Sequence, residues 1–153
     1  MFVQMMIPHH EQAIAMSTMA KNNTKNVQVL ALARDISAAQ LPEIDLMQQW
    51  LIDQVLPSMS HSGDSDMNHN MGHGMSDDGM LNQSQMTALS KARNDDFDRL
   101  YLRGMIEHHK GAIDMAQDEV RGGTNTQILQ LARAIITSQT TEIDKMKTML
   151  AKV

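Results

Sequence analysis

Cysteine is absent from all 153 residues. No disulfide can staple this chain and no thiolate can serve as a nucleophile, so any soft-metal chemistry must come from other donors. Aromatic residues are scarce, with two Phe, one Tyr and one Trp. A core built under that restriction packs with Leu, Ile, Ala and Met, and the lone Trp50 offers no platform for stacking bases. There is no excess of basic residues, and the net charge of −5 at pH 7 opposes binding to nucleic acid or anionic lipid, each of which needs a basic face. No apolar run approaches the roughly 18 residues of a membrane span. The most apolar stretch, Val27 to Ala33, is closed by Arg34 and Asp35, so membrane insertion is not expected. The start, Met1-Phe2-Val3-Gln4-Met5-Met6, also lacks the basic opening of a secretory leader.

What the chain does have is methionine, 16 residues of it, and seven histidines. At this length, a prior of about 100–200 residues per domain gives one domain. An internal repeat organises it. Met6-Ile7-Pro8-His9-His10 recurs as Met105-Ile106-Glu107-His108-His109, and at that offset of 99 residues 20 of 46 aligned positions are identical, ending with Leu51 on Leu150. Two copies of one helical hairpin are implied rather than a solenoid. In the returning half of each copy, Val29, Leu32, Ala33 and Ile36 and their counterparts Ile128, Leu131, Ala132 and Ile135 fall at helical spacing. Asn26 and Asn125 suit N-caps, Gly122 or Gly123 a left-handed C-cap, and Asn94-Asp95 the start of the third main helix. The reading is an all-α four-helix bundle: a first hairpin over 1–54, a Met/His-rich linker over 55–81, and a second hairpin over 82–153 led by a short helix from Asn82 to about Ser90. The first helix is about six residues shorter than its copy, which leads us to expect that upstream sequence, including a signal peptide, has been removed.

Two groups of residues carry chemistry. His9 shares a helical face with Met6, Ala13 and Met16, as His108 does with Met105, Ala112 and Met115, while His10 and His109 sit at the edge of that stripe. Folding each hairpin about its turn brings Gln40 beside His9 and Gln139 beside His108, with Glu43 and Glu142 one turn further along, near Met6 and Met105. Two readings stand. Either the glutamines satisfy core histidines, or imidazole and thioether together hold a soft metal such as Cu(I). Pro8 should kink the first helix and free the Gln4 carbonyl. The helical Met16, Met19, Met47, Met115, Met146 and Met149 read as core fillers rather than ligands.

The second group lies in the linker. Met59 to Met80 holds five Met and three His but no Leu, Ile, Val, Phe or Trp, so it cannot build a core. From Met67 through His69, Met71 and His73 to Met75 the two types alternate at every second residue, with Met59 and His61 upstream. Thioether and imidazole together suit Cu(I) and Ag(I), and histidine alone holds Cu(II).

With both groups in view, the chain resembles a bacterial ferritin-like family of domains of unknown function. Met6-Ile7-Pro8-His9-His10 with Ala13, Ile14 and Met16 matches its signature, as does Phe97-Asp98 leading to Met105-Ile106 and His108-His109-Lys110-Gly111-Ala112-Ile113. The Met-rich insertion is similar to that of a cyanobacterial copper-resistance branch of the family. The resemblance implies a ferritin-like bundle in the periplasm or outside the cell that binds copper or silver, with Met6, His9, His10, Met105, His108 and His109 as its signature residues. Metal ions would be its ligands, and a copper exporter or sensor its protein partner. A di-metal oxidoreductase is the rival, but Glu11 is followed three residues later by Ile14 and Glu107 by Lys110, so the Glu-x-x-His pair of di-iron bundles is missing. No enzyme activity is expected. A structural, partner-docking bundle is the third reading.

Overall fold

The computed structural model describes residues 1–55 and 78–153. Among these, all regular structure is helical: α1 (Phe2–Asn23), α2 (Val27–Val55), α3 (Gln83–Lys91), α4 (Asn94–Gly122) and α5 (Thr126–Leu150). The turns between α1 and α2 and between α4 and α5 are three residues long, so the helices of each pair must return antiparallel. The N-caps of the returning helices are as expected. Asn26 accepts from the Gln28 amide at 3.1 Å and Asn125 from the Ile128 amide at 3.1 Å. The short leading helix is also present, started by a reciprocal capping box between Asn82 and Gln85.

Two local expectations are corrected. Gly123 caps α4 in an extended conformation (φ −73°, ψ 156°) rather than a left-handed one. Glycine serves a different purpose there, since a Cβ would collide with the carbonyl and carboxylate of Glu119. Arg93, not Asn94 or Asp95, is the N-cap of α4 and offers no side-chain bond. Asn94 takes φ 51°, a left-handed value that its short polar side chain tolerates better than most, and Asp95 and Asp96 favour the helix start by their charge. Beyond these differences, Pro8 and Pro42 both lie inside helices, α1 and α2.

The two hairpins meet through α1 and α4, which run antiparallel. His9 lies against His108, and two turns on along α1 Ser17 bonds the Tyr101 hydroxyl at 2.9 Å, two turns back along α4. Apolar packing forms two clusters. One joins Ala13, Met16 and Ala20 to Leu32 and Ile36 of α2, to Phe97, Tyr101 and Met105 of α4, and to Ile143 and Met146 of α5. The other joins Phe2, Val3 and Met6 to Met47, Ala112, Ala116, Ile128 and Ile135. The methionines expected to fill space do so: Met16, Met47, Met146 and Met149 are buried in these clusters, and Met19 and Met115 pack against them. Outside the main hairpins, α3 is held at its C-terminal end, where the Asn23 amide donates to the carbonyls of Leu89 and Ser90.

Asn82→Ala removes the side-chain acceptor of the capping box and leaves the Gln85 amide without it. It should lower stability to urea by about 1 kcal/mol while leaving the far-ultraviolet helical signal of the main bundle intact. An unchanged urea midpoint would show that α3 does not depend on its cap.

Candidate metal site

The repeat sets its two His-His pairs at the crossing of α1 and α4. All four histidines are fully buried, each at 0 % exposure. The His9 and His108 rings are in contact, with centroids 3.7 Å apart and planes tilted by 41°. The outer rings, His10 and His109, point instead toward the returning helix of their own hairpin. His10 Nε2 lies 2.7 Å from Glu43 Oε2, and His109 Nε2 lies 2.7 Å from Glu142 Oε2. The sequence separation is 33 in both pairs, so duplication preserved the contact as well as the residues.

This arrangement corrects three expectations. His10 and His109 lie inside the seam rather than at its edge, because the inner rings take up the crossing and turn the next residue inward to the hairpin partner. Glu43 and Glu142 bond these histidines instead of merely neighbouring Met6 and Met105. Gln40 and Gln139, each 2 % exposed, do not satisfy His9 and His108. Among the described residues, both polar atoms of the Gln40 amide and Oε1 of Gln139 find no hydrogen-bond partner. The same holds for Nδ1 of all four histidines and Nε2 of His108. Native interiors hold few such groups, and their concentration in one layer marks it as a place for water or an ion.

The tautomers follow from the partners. His9 Nε2 faces the Asp78 backbone carbonyl at 2.9 Å. A carbonyl can only accept, so Nε2 carries the hydrogen and Nδ1 of the uncharged ring keeps its lone pair. In their neutral form His10 and His109 donate from Nε2 to the carboxylates and likewise retain lone pairs on Nδ1. Burial pushes the His9 pKa from 6.5 down to about 4, with the hydrogen bond to Asp78 opposing and the nearby His10 adding to the drop. Burial also drives His108 well below its usual range, with further lowering from His9, His109 and His10; a loose contact with the His9 backbone offsets little of it. At neutral pH the inner pair is therefore uncharged, the state in which imidazole binds metal.

A strap from the linker closes one side. Asp78 and Gly79 cross α4 at Gly111, where a Cβ would run into the Asp78 carbonyl, and Gly79 itself has φ 77°. Gln12 secures the next residues, since its Nε2 donates to the Leu81 carbonyl at 2.9 Å and its Oε1 accepts from the Leu81 amide at 2.7 Å. Gln12 and Gly111 occupy equivalent repeat positions, and that one substitution is the only sequence sign of the strap. Of the other expected site residues, Met6 and Met105 are fully buried in different apolar clusters. Met59, His61, Met67, His69, Met71, His73 and Met75 lie outside the described residues. Among the described residues, no three His, Asp or Glu side chains converge as a ready cage for a metal ion, and no helix is long and apolar enough to cross a membrane.

Fold and site together define a helical bundle made from a duplicated hairpin, with a buried histidine layer at the junction of its halves. The chain belongs to the family described as domain of unknown function DUF305, which matches residues 1–150. A DUF305 protein of Streptomyces coelicolor, described as a candidate secreted protein, is 34 % identical with a TM-score of 0.83, over 99 % of this chain and 90 % of that one. CopM in its Cu(I)-bound form is 30 % identical with a TM-score of 0.76, over 99 % and 94 % of the two chains. CopM structures with Cu(II) and with Ag superpose similarly, at TM-scores of 0.77 and 0.73. An uncharacterised mimivirus protein is 45 % identical over 53 residues, a match spanning 35 % of each chain, so only about a third of that relative is represented.

The histidine layer should make stability depend on pH. His9 titrates at about 4 in the folded chain and near 6.5 when unfolded, so the unfolded state binds more protons between those values. Stability should fall as pH drops below about 6.5, with His9 alone accounting for on the order of 3 kcal/mol once pH is below 4. Urea titrations of the wild type and His9→Gln between pH 7 and 4 would show this as a flatter profile in the variant; parallel profiles would remove His9 as the cause. Gly111→Ala should displace the strap, break the His9–Asp78 bond and cost roughly 1–3 kcal/mol. Wild-type stability in that variant would rule out the close approach.

Proposed function

We propose that the protein binds Cu(I) and Ag(I) as cargo outside the cytoplasm, lowering the free ion or passing it to an exporter or sensor, with Cu(II) held through imidazole alone. The observation that carries this reading is the inner pair of histidines, uncharged at neutral pH and with unpartnered ring nitrogens, in contact at the junction of the two hairpins. Monovalent coinage metals accept few ligands, so two imidazoles, or one with a thioether, make an adequate set without a cage of three hard donors. His9 and His108 would hold the ion, and His10 and His109 would join through their free Nδ1 atoms. The Glu43 and Glu142 carboxylates behind these outer rings are the second-layer partners that orient metal-binding imidazoles. Met6 and Met105, one helical turn before His9 and His108, would lend sulfur. The Met/His segment from Met59 to Met75 would capture ions from solution. Relatives solved with Cu(I), Cu(II) and Ag support the choice of metals. Storage or transfer is preferred to catalysis because both repeat copies lack Glu-x-x-His.

Titration of the metal-free protein with Cu(I) against a chromophoric chelator tests the proposal. The wild type should retain copper, and His9→Leu combined with His108→Leu should weaken the tightest site at least tenfold while helicity persists. Unchanged retention in the double variant would return the inner pair to a packing role. Retention no greater than that of a chain with the linker Met and His replaced by Leu and Asn, together with both inner histidines, would overturn copper binding altogether.

A further inference from the structure

A second feature lies on the outer face of the first hairpin, away from the histidine layer. Between α1 and α2 runs an apolar crevice of about 680 Å³, within the usual range for small-molecule sites. Small residues line it, the buried Ala20 and Ala33 with Ser37 and the exposed Ala38, and its rim carries Val27 and Leu41, which are 75 % and 50 % exposed. The hydroxyls of Thr18 and Ser37 are turned back onto the Ile14 and Ala33 carbonyls of their own helices, which leaves the walls apolar.

The duplicated hairpin is an internal control. At the same offset of 99, Ser37 becomes Ile136 and Lys21 becomes Val120, both packed onto the core, while the rim residues Val27 and Leu41 become Thr126 and Thr140. The second hairpin therefore fills this crevice with its own aliphatic side chains and presents hydroxyls to water. The first leaves it open and lines it with apolar groups. The missing material is one aliphatic side chain wide, far narrower than a helix about 10 Å across. From Val27 to Leu41 the crevice follows roughly 21 Å of α2, at 1.5 Å per residue. These dimensions are those of an extended acyl chain.

Charge indicates the head group. Among the described residues, Lys21 and Arg34 are the only charged residues lining the crevice, and neither forms an ion pair. Two unneutralised cations beside an apolar slot, on a chain of net charge −5, suit a ligand with an anionic end and a hydrocarbon tail. They disfavour a second copy seated on the same face, which would set like charges together. We propose that this crevice binds a single-chain anionic amphiphile of the fatty-acid class, with the tail along Ala33 and Ser37 and the carboxylate near Lys21 or Arg34.

The test uses the full metal-free chain, so its outcome is independent of copper binding. cis-Parinaric acid should gain fluorescence on addition of protein, and dodecanoate should displace it at least tenfold more effectively than dodecanol. Ser37→Ile, which copies the filled repeat, should weaken parinarate binding at least tenfold at unchanged helicity. Leu41→Thr, at the exposed rim where folding is not at stake, should weaken it severalfold. Equal binding by wild type and both variants would overturn the proposal, as would equal competition by dodecanol. So would a concentration-dependent dimer that Leu41→Thr dissolves and that excludes the probe, because the occupant would then be a second copy.

Discussion

Two uncharged imidazoles pressed together where α1 crosses α4 set the terms for the surrounding structure. Neither can take a proton without placing a charge in a buried interior beside its neighbour. The layer around them is polar but short of partners, so it separates the core into two apolar clusters rather than joining them. Each outer histidine is held by a carboxylate on the returning helix, which locks the hairpin register at the same place in both halves. Most of the buried polar atoms without a partner among the described residues lie at this one level. A layer of this kind gains stability when something fills it, which is the sense in which metal cargo and folding would be linked.

The pseudo-twofold relation is close in the main helices and broken around them. The strap ties down His9, whereas His108 has no hydrogen bond at either nitrogen among the described residues. The two inner rings are therefore chemically different although their helices are copies. On the outer face the asymmetry runs the other way, with the second hairpin filled and the first left open.

Much of this was legible because duplication writes the pattern twice. The offset of 99 exposed the hairpins, the short turns implied antiparallel pairs, and Asn26, Asn125 and Asn82 marked helix starts through side-chain chemistry that acts locally. The pairing of His10 with Glu43 was missed because a flat face diagram places His10 at the edge of its stripe. Only the crossing of α1 over α4 shows that the inner rings fill the seam and turn the next residue inward. Counting residues back from the turn put Gln40 opposite His9, but proximity along a hairpin does not make a hydrogen bond. The strap was out of reach, since it belongs to neither repeat and its anchor is a backbone carbonyl, which has no residue identity to read. Gly123 was understood for the wrong reason: its missing side chain matters for the space beside Glu119, not for handedness.

The close passage of Asp78 over Gly111 has a consequence for the history of the chain. Recombination between the two halves of a duplicated gene tends to erase their differences, and here the exchange is barred in one direction. Writing the codon for Gln12 over that for Gly111 would drive a side chain into the strap, while the reverse exchange would strip Leu81 of its anchor. The halves are thus committed to separate lineages, and an engineered homodimer of either hairpin alone would be unable to reproduce the pocket wall that the whole chain supplies.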